Sequence, residues 1–443
     1  MSNQDLICNI TSLGFQGEGI CRTDGQVTFI PFALPGETVT ATITKQQNNF
    51  RQAKLLDVLS PAPQRVAPLC PVFTLCGGCT SQHMDYPTQL KFKQEGIQNN
   101  LRKIAGIETT IKPVIGLAEP WRYRNKITWQ IMYTNGTYQA GFFGHKSNRF
   151  VQTKVCFLAP GFMEAAVQAL LDELNKTPWL PEGSLQQLVT RTNQEGQLLL
   201  VLRVTGDLPS DGSALLEALQ LKVPSLQSMV FTNQGAFDED SLNTGRYIES
   251  GQSSLEETIL GLRFQLSPFS FLQVNHAMAE KLYDYALAQA LPAKDGTLID
   301  IYSGVGTMSL IAAQRCKQVY GLELFSSSIF DAKANAALNQ IDNAHFVEGP
   351  AEITLPTLLA AGIQADCVLL DPPRKGAHAA VLNAIIKAKP ERIVYISCNP
   401  ASQARDAAVI LQGGYAIEAC QAFDMFCQTA EVENVITFIR SNP

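Results

Sequence analysis

The sequence predicts a multidomain chain: a small N-terminal β-barrel, a central α+β region and a C-terminal doubly wound, Rossmann-like α/β sheet. Three observations carry this. Short β-type runs broken by Gly and Pro fill the first sixty or so residues, strand-like and helical stretches mix in the middle, and from about residue 266 short apolar runs alternate with helical ones. At 443 residues the chain exceeds what one core usually organises. The expected domains are 1–59, 60–265 and 266–443.

In the first of these, "LICNITSLGFQGEGICRTDGQVTFIPFALPGETVTATITKQQNNFRQAKLLDV" has Gly-x-Gly, Asp-Gly and Pro-Gly breaks at close intervals. About five short strands at that spacing suit a barrel of the oligonucleotide-binding type. A Pro-rich joint, "SPAPQRVAPLCP", leaves it. Tyr86 to Ile107 reads as one helix with a proline start and basic residues between its apolar positions. The middle offers strands in "RNKITWQIMY", "QLLLVLRV" and "SMVFTN" and a helix in "FMEAAVQALLDELNK". Beyond "FLQVNHAMAEKLYDYALAQAL" the expected strands are "TLIDIY", "QVYGLEL", "DCVLLD", "RIVYIS", "YAIEACQAF" and "NVITFIR". The helical stretches "GTMSLIAAQ" and "SSSIFDAKANAALNQ" lie between them. The last two strands lack a helix between them, so the final one should be antiparallel.

A composition of 46% apolar and 17% charged residues is that of an ordinary globular protein and excludes a largely disordered chain. No run of about 18 apolar residues and no secretory leader appears, so no membrane partner and a cytoplasmic location are expected. The net charge of -6 is unevenly spread: residues 51–156 hold 14 Lys and Arg against 5 Asp and Glu. A basic segment in an acidic chain is either a polyanion footprint or a merely solvated surface. Eleven cysteines in such a setting argue for metal binding, catalysis or core packing rather than disulfides.

Four motifs carry chemistry. In "LIDIYSGVGTMSL" the strand ends at Asp300 and Tyr302 before Gly304 and Gly306, where glycines let a ligand approach the backbone. Glu323, about 20 residues on, stands where a carboxylate accepts ribose hydroxyls. A third glycine is missing, so S-adenosylmethionine, which has no phosphate, fits better than a nicotinamide dinucleotide. "CVLLDPPRKGAH" ends a strand on Asp371 ahead of two prolines, and "RIVYISCNPASQ" ends one on Cys398 along the same rim. Glu431 and Glu433, in "FCQTAEVENVITF", are two candidate bases that spacing does not separate. Finally, Cys70, Cys76 and Cys79 in "CPVFTLCGGCTSQH", with the distant Cys156, suit a [4Fe-4S] cluster or an all-thiolate zinc site, and the spacing leans to iron-sulfur. Cys8, Cys21, Cys316, Cys367, Cys420 and Cys427 read as core or surface thiols.

At these residues, over nearly the whole length, the chain resembles the RNA uridine-5-methyltransferase family, bacterial enzymes that make 5-methyluridine in ribosomal or transfer RNA. The resemblance implies an N-terminal TRAM barrel, a central domain with an iron-sulfur cluster, and a Rossmann-like methyltransferase domain. It implies Cys70, Cys76, Cys79 and Cys156 as ligands of a [4Fe-4S] cluster. Gln273, Tyr302, Glu323 and Asp371 would contact S-adenosyl-L-methionine, Cys398 would be the nucleophile, and Glu433 rather than Glu431 the base. The run "WRYRNK", Trp121 to Lys126, resembles a segment of the family's central domain. Two positions depart from the pattern: Pro350 in "EGPAE" replaces an aspartate, and Cys427 replaces a proline.

The chemistry is consistent with the residues, because C5 of uracil is a poor nucleophile until a thiolate adds at C6. The expected substrate is large-subunit (23S) rRNA, with the tRNA T-loop the alternative, and the expected state is a monomer. The rivals are an iron-sulfur oxidoreductase with a nicotinamide-binding domain and a non-catalytic RNA-binding protein.

Overall fold

The computed structural model describes residues 5–233, 247–252, 254–290 and 296–441. Leu291, the last residue of one expected helix, lies outside them. The N-terminal strands are β1 (Asp5–Asn9), β2 (Ser12–Leu13), β3 (Gly19–Thr23), β4 (Gln26–Ile30), β5 (Thr38–Gln46) and β6 (Phe50–Ser60). They form one sheet in the order β1-β5-β6-β4-β3-β2, with β4 and β6 its parallel pair. Asp24 and Gly25, with φ of 50° and 76°, make the left-handed turn that joins β3 to β4, which explains the Asp-Gly there. Cys8 and Cys21 fill the sheet's core with Ile30, Val39 and Ala41. The Pro-rich joint is fastened by Arg65, which donates from Nη2 to Glu37 (2.7 Å) and to the Phe32 carbonyl (2.7 Å).

Helix α1 (Tyr86–Ala105) follows, capped by the Asp85 side chain on the Thr88 amide and closed by Gly106 in the left-handed conformation. A mixed sheet comes next: β7 (Lys126–Thr134), β8 (Thr137–Phe143), β9 (Phe150–Gln152), β10 (Leu185–Thr192), β11 (Leu198–Val204), β12 (Leu226–Thr232) and β13 (Tyr247–Gly251). Its order is β13-β12-β11-β10-β7-β8-β9. Helices α2 (Gly161–Leu174) and α3 (Ser213–Gln220) pack on it over Trp129, Leu200 and Phe231.

A hairpin, β14 (Leu255–Ile259) and β15 (Leu262–Leu266), leads to α4 (His276–Ala290) and shares its core. Then β16 (Thr297–Ile301), α5 (Thr307–Ala313), β17 (Gln318–Glu323), α6 (Ser326–Leu338), β18 (Ala344–Glu348), α7 (Ala351–Ala360), β19 (Cys367–Leu370), α8 (Ala379–Ala388), β20 (Arg392–Ser397), α9 (Pro400–Gln412), β21 (Tyr415–Phe423) and β22 (Glu433–Arg440) complete the chain. The sheet order is β18-β17-β16-β19-β20-β22-β21. The last strand is antiparallel, as expected, and it inserts between β20 and β21 rather than adding at the edge. Helix α1 buries Ile97 and Leu101 among Ile299, Tyr395 and Ile410, so it packs on this C-terminal sheet. Among the described residues no helix is long and apolar enough to cross a membrane.

Candidate active site

Parallel strands put their carboxyl ends on one rim, and the register fixes which residues meet there. Ile301 pairs with Leu370, so Tyr302 and Asp371 leave neighbouring strands side by side. Ser397 pairs with Asn434 in the antiparallel ladder, so the next step along both strands sets Cys398 opposite Glu433. The inserted strand is therefore what brings thiol and carboxylate together.

Glu323 closes the glycine turn. Its carboxylate accepts from the Gly304 amide (2.9 Å) and from the Leu324 and Phe325 amides (2.7 and 3.0 Å). Tyr302, with φ of 69°, bends the chain out of β16 while its amide still bonds to Leu322. Below it Asp300 is fully buried, accepts from Ser309 Oγ (2.6 Å) and leaves Oδ1 without a partner. Burial pushes Asp300 up to about 7, and burial with the neighbouring Asp300 pushes Asp371 to about 7.

Glu433 is 3% exposed, with Oε2 unpartnered, and burial followed by Asp371 and Glu431 raises its pKa well above the usual carboxylate range. Glu431, by contrast, has a side chain 42% exposed and pairs with Arg374. Burial and then Glu433 push the Cys398 thiol up to about 11, against Arg374, which pulls it down. Arg374 is thus the cation that favours the thiolate here, a neighbour not legible in the sequence. Its only sequence signal was a cation directly after Asp-Pro-Pro.

The Asn-Pro after Cys398 has a structural reason. Asn399 caps α9 by accepting from the Ala401 amide (3.1 Å) while its Nδ2 donates to the Arg374 carbonyl (2.9 Å). Ser402 Oγ donates to the same carbonyl (3.0 Å), and Pro400 begins the helix. One cap thus holds the thiol's strand end against the Pro-Pro loop.

Gln273 lies buried on the segment before α4, and its carbonyl accepts from Asn125 Nδ2 (3.0 Å). The Asn125 amide also donates to Val274 (2.9 Å), so "WRYRNK" and "FLQVN" are stitched together. Cys70, Cys76, Cys79 and Cys156 line one cavity of about 350 Å³, together with Arg124, Leu272 and Val274. Burial pushes Cys79 up to about 12 and raises Cys76 and Cys156, and Cys76 feels both Cys156 and Cys70. Among the described residues no group of three or more His, Cys, Asp or Glu side chains is set to hold a metal ion. The iron-sulfur centre expected from the cysteines is therefore not shown. Of the core or surface positions expected for Cys8, Cys21, Cys316, Cys367, Cys420 and Cys427, the structure gives all six the buried one.

Asp300 makes a separate prediction about stability. Its folded-state pKa, about 7 against the usual 3.8, means the folded protein holds a proton that the unfolded chain releases. Stability from this group is therefore present at low pH and lost as pH rises between those values, by on the order of 4 kcal/mol. Asp300→Asn should raise the melting temperature by a few degrees at pH 8 and leave it unchanged near pH 4; scanning calorimetry at both pH values checks this.

The chain thus sets an N-terminal strand domain ahead of a doubly wound sheet that carries a glycine turn and a thiol on its carboxyl rim. Residues 85–441 match the family described as tRNA (Uracil-5-)-methyltransferase, and residues 8–56 match the TRAM domain. An uncharacterized RNA methyltransferase of Halalkalibacterium halodurans is 37% identical over 441 residues, spanning 98% of this chain and 96% of that protein. One from Listeria innocua is 35% identical over 443 residues, spanning 98% and 97%. The crystal structure of Pyrococcus abyssi tRNA (uracil-54, C5)-methyltransferase in complex with S-adenosyl-L-homocysteine shares the fold, with a TM-score of 0.75, 23% identity, and coverage of 98% of this chain and 100% of that one. The chain belongs to the tRNA (uracil-5-)-methyltransferase family and is an S-adenosylmethionine-dependent RNA methyltransferase.

Proposed function

We propose that the protein methylates C5 of a uridine in 23S rRNA through a covalent adduct between Cys398 and C6, with Glu433 as the base. The pairing of a half-buried thiol with a buried, unpartnered carboxylate oxygen across β20 and β22 carries this reading. The Cys398 thiolate adds to C6 and makes an enolate of the ring. S-adenosylmethionine supplies the methyl group to C5 and leaves as S-adenosylhomocysteine. Glu433 then takes the C5 proton, the C5–C6 double bond re-forms, and Cys398 departs as thiolate. Arg374 and the start of α9 favour the thiolate in both addition and departure. The raised pKa of Glu433 makes its ionised form a stronger base, and its burial favours the neutral acid that results.

Tyr302, Glu323, Asp371 and Gln273 are the residues we assign to S-adenosylmethionine. The target uridine has to be turned out of its fold to reach the cleft. The enzyme is read as a cytoplasmic monomer. A tRNA T-loop is the second reading, favoured by the substrate named for the Pyrococcus abyssi enzyme. Labelled-methyl transfer to unmodified 23S fragments and unmodified tRNA, side by side, decides between them. RNA carrying 5-fluorouridine, incubated with enzyme and S-adenosylmethionine, should give a denaturant-stable adduct, because the fluorine on C5 cannot be abstracted as a proton. No adduct would refute the covalent mechanism.

Four cysteines around one cavity, beside a half-buried Arg124 whose buried Nε lacks a partner, support a [4Fe-4S] cluster held by Cys70, Cys76, Cys79 and Cys156. A thiolate-ligated cluster is anionic and larger than one metal ion, which suits both the cation and the room. Its iron–thiolate bonds would tie the loop from Cys70 to Cys79 to the distant Cys156. Anaerobically purified protein should contain about four irons and Cys76→Ser much less; zinc in place of iron would overturn the assignment.

A further inference from the structure

Between the cysteine loop and the strand that begins at Glu433 lies a set of buried amides that the proposed chemistry does not use. The Gln428 carbonyl accepts from two consecutive amides, Thr80 (3.0 Å) and Ser81 (3.2 Å), directly after Cys79. Thr80 Oγ1 accepts from the Ala430 amide (2.9 Å). Gln89, on the first turn of α1, is the node. Its Oε1 accepts from Ser81 Oγ (3.2 Å) and the Gln428 amide (3.2 Å), and its Nε2 donates to the Met84 carbonyl (2.8 Å) and Gln428 Oε1 (3.0 Å). These four bonds use the whole capacity of a carboxamide, and Gln89 and Gln428 are 1% and 2% exposed.

Two further features show that this loop is held rather than merely covered. Gln428 has φ of 68°, a conformation that a side-chain-bearing residue keeps only when its surroundings hold it. Four residues earlier, Asp424 is paired with Lys93 of α1, both fully buried, and accepts from Tyr86 Oη (2.8 Å). The segment from Asp424 to Ala430 is thus fastened to α1 and to the residues after Cys79, and Glu433 follows three residues later.

We propose that Gln89, Gln428 and Thr80 form a latch through which the cysteine loop sets the position of Glu433. They are positioning residues and touch no substrate. The inference rests on Glu433 being the base. A buried node with four directed bonds transmits displacement because no water can replace a broken bond. Loosening the latch should slow the step that needs the base while leaving S-adenosylmethionine binding intact.

The test uses the full-length enzyme with Gln89→Leu and the milder Thr80→Val, so that poor folding of the first does not end it. Hydrogen exchange of the peptide spanning residues 424–432 should quicken at least about tenfold in Gln89→Leu and less in Thr80→Val. Methylated RNA–enzyme adduct should build up as kcat falls, with KM for S-adenosylmethionine within about twofold. Cys79→Ser, which disturbs the cysteine loop directly before Thr80, should quicken the same peptide in the parent but add nothing in Gln89→Leu. Unchanged exchange in both latch variants, additive effects of Cys79→Ser, or faster exchange without adduct build-up would each overturn the latch. Glu433→Gln is run in parallel: if it fails to build up adduct, the base assignment falls, and the exchange data alone then judge the latch.

Discussion

Cys398→Ala should abolish methyl transfer, with a loss of at least about 10⁴-fold, on the order of 5.5 kcal/mol of transition-state stabilisation. Without a group adding at C6, C5 of uracil has no enolate character and nothing else on the rim can supply it. Asp371 and Glu433 are carboxyl groups whose buried settings favour the protonated form. The variant should also give no denaturant-stable adduct with 5-fluorouridine RNA. Cys427→Ala is the control. That thiol is fully buried, hydrogen-bonds to the Asp424 carbonyl (3.4 Å) and lies 3.6 Å from Tyr86 Oη, so it has no path to a base. The control should still form the adduct. Residual turnover above one part in about 10³ in Cys398→Ala, measured by labelled methyl transfer, would sink the nucleophile assignment.

The same thiol sets a pH dependence. Burial and then the neighbouring Glu433 push the Cys398 thiol up to about 11, so near neutrality the thiolate is the minor form. The rate of adduct formation should therefore rise with pH from 6.5 to 9. Arg374→Met removes the nearby cation and should push the thiol further up, lowering the rate by about the same factor at every pH in this range. A flat profile in single-turnover gel assays would show that the thiol is not what titrates.

How much of this was legible in the sequence depends on the range of the interaction. Strand ends were legible, because a buried parallel strand is a short apolar run and its last polar residue marks the rim; Tyr302, Glu323, Asp371 and Cys398 are all of this kind. The meeting of Cys398 with Glu433 was not, since it depends on β22 entering between β20 and β21, a choice of strand order with no local sign. Strand β18 has no such signal, because an edge strand half open to solvent lacks the apolar run. Helix α1 was legible in extent but not in its surroundings. Its Lys93 and Gln89 sit at polar positions of the pattern, yet they are buried against Asp424 and Gln428, more than 300 residues away in sequence. Lys93 thereby leaves the pool of basic residues in 51–156 that could meet RNA, and Arg65 and Arg122 are paired with Glu37 and Glu164. The basic surplus is thus smaller at the surface than in the count.

Glu433→Gln should stall the reaction after methylation instead of before it. The amide keeps the shape of the carboxyl group but cannot take a proton, so Cys398 still adds and C5 still receives the methyl group. The C5 proton then stays, the double bond cannot re-form, and the thiol cannot leave. The expected result is a methylated RNA–enzyme complex that survives denaturant, seen as a shifted band carrying label from the methyl group, with turnover down at least about 10³-fold. Glu431→Gln tests the choice between the two carboxylates. It releases Arg374 from its ion pair, and that guanidinium then faces Cys398 with less competition. Adduct formation should be unimpaired and turnover reduced by less than about tenfold. If Glu431→Gln accumulates the complex and Glu433→Gln does not, the exposed carboxylate is the base. The unpartnered oxygen of Glu433 would then be a buried acid without a catalytic task.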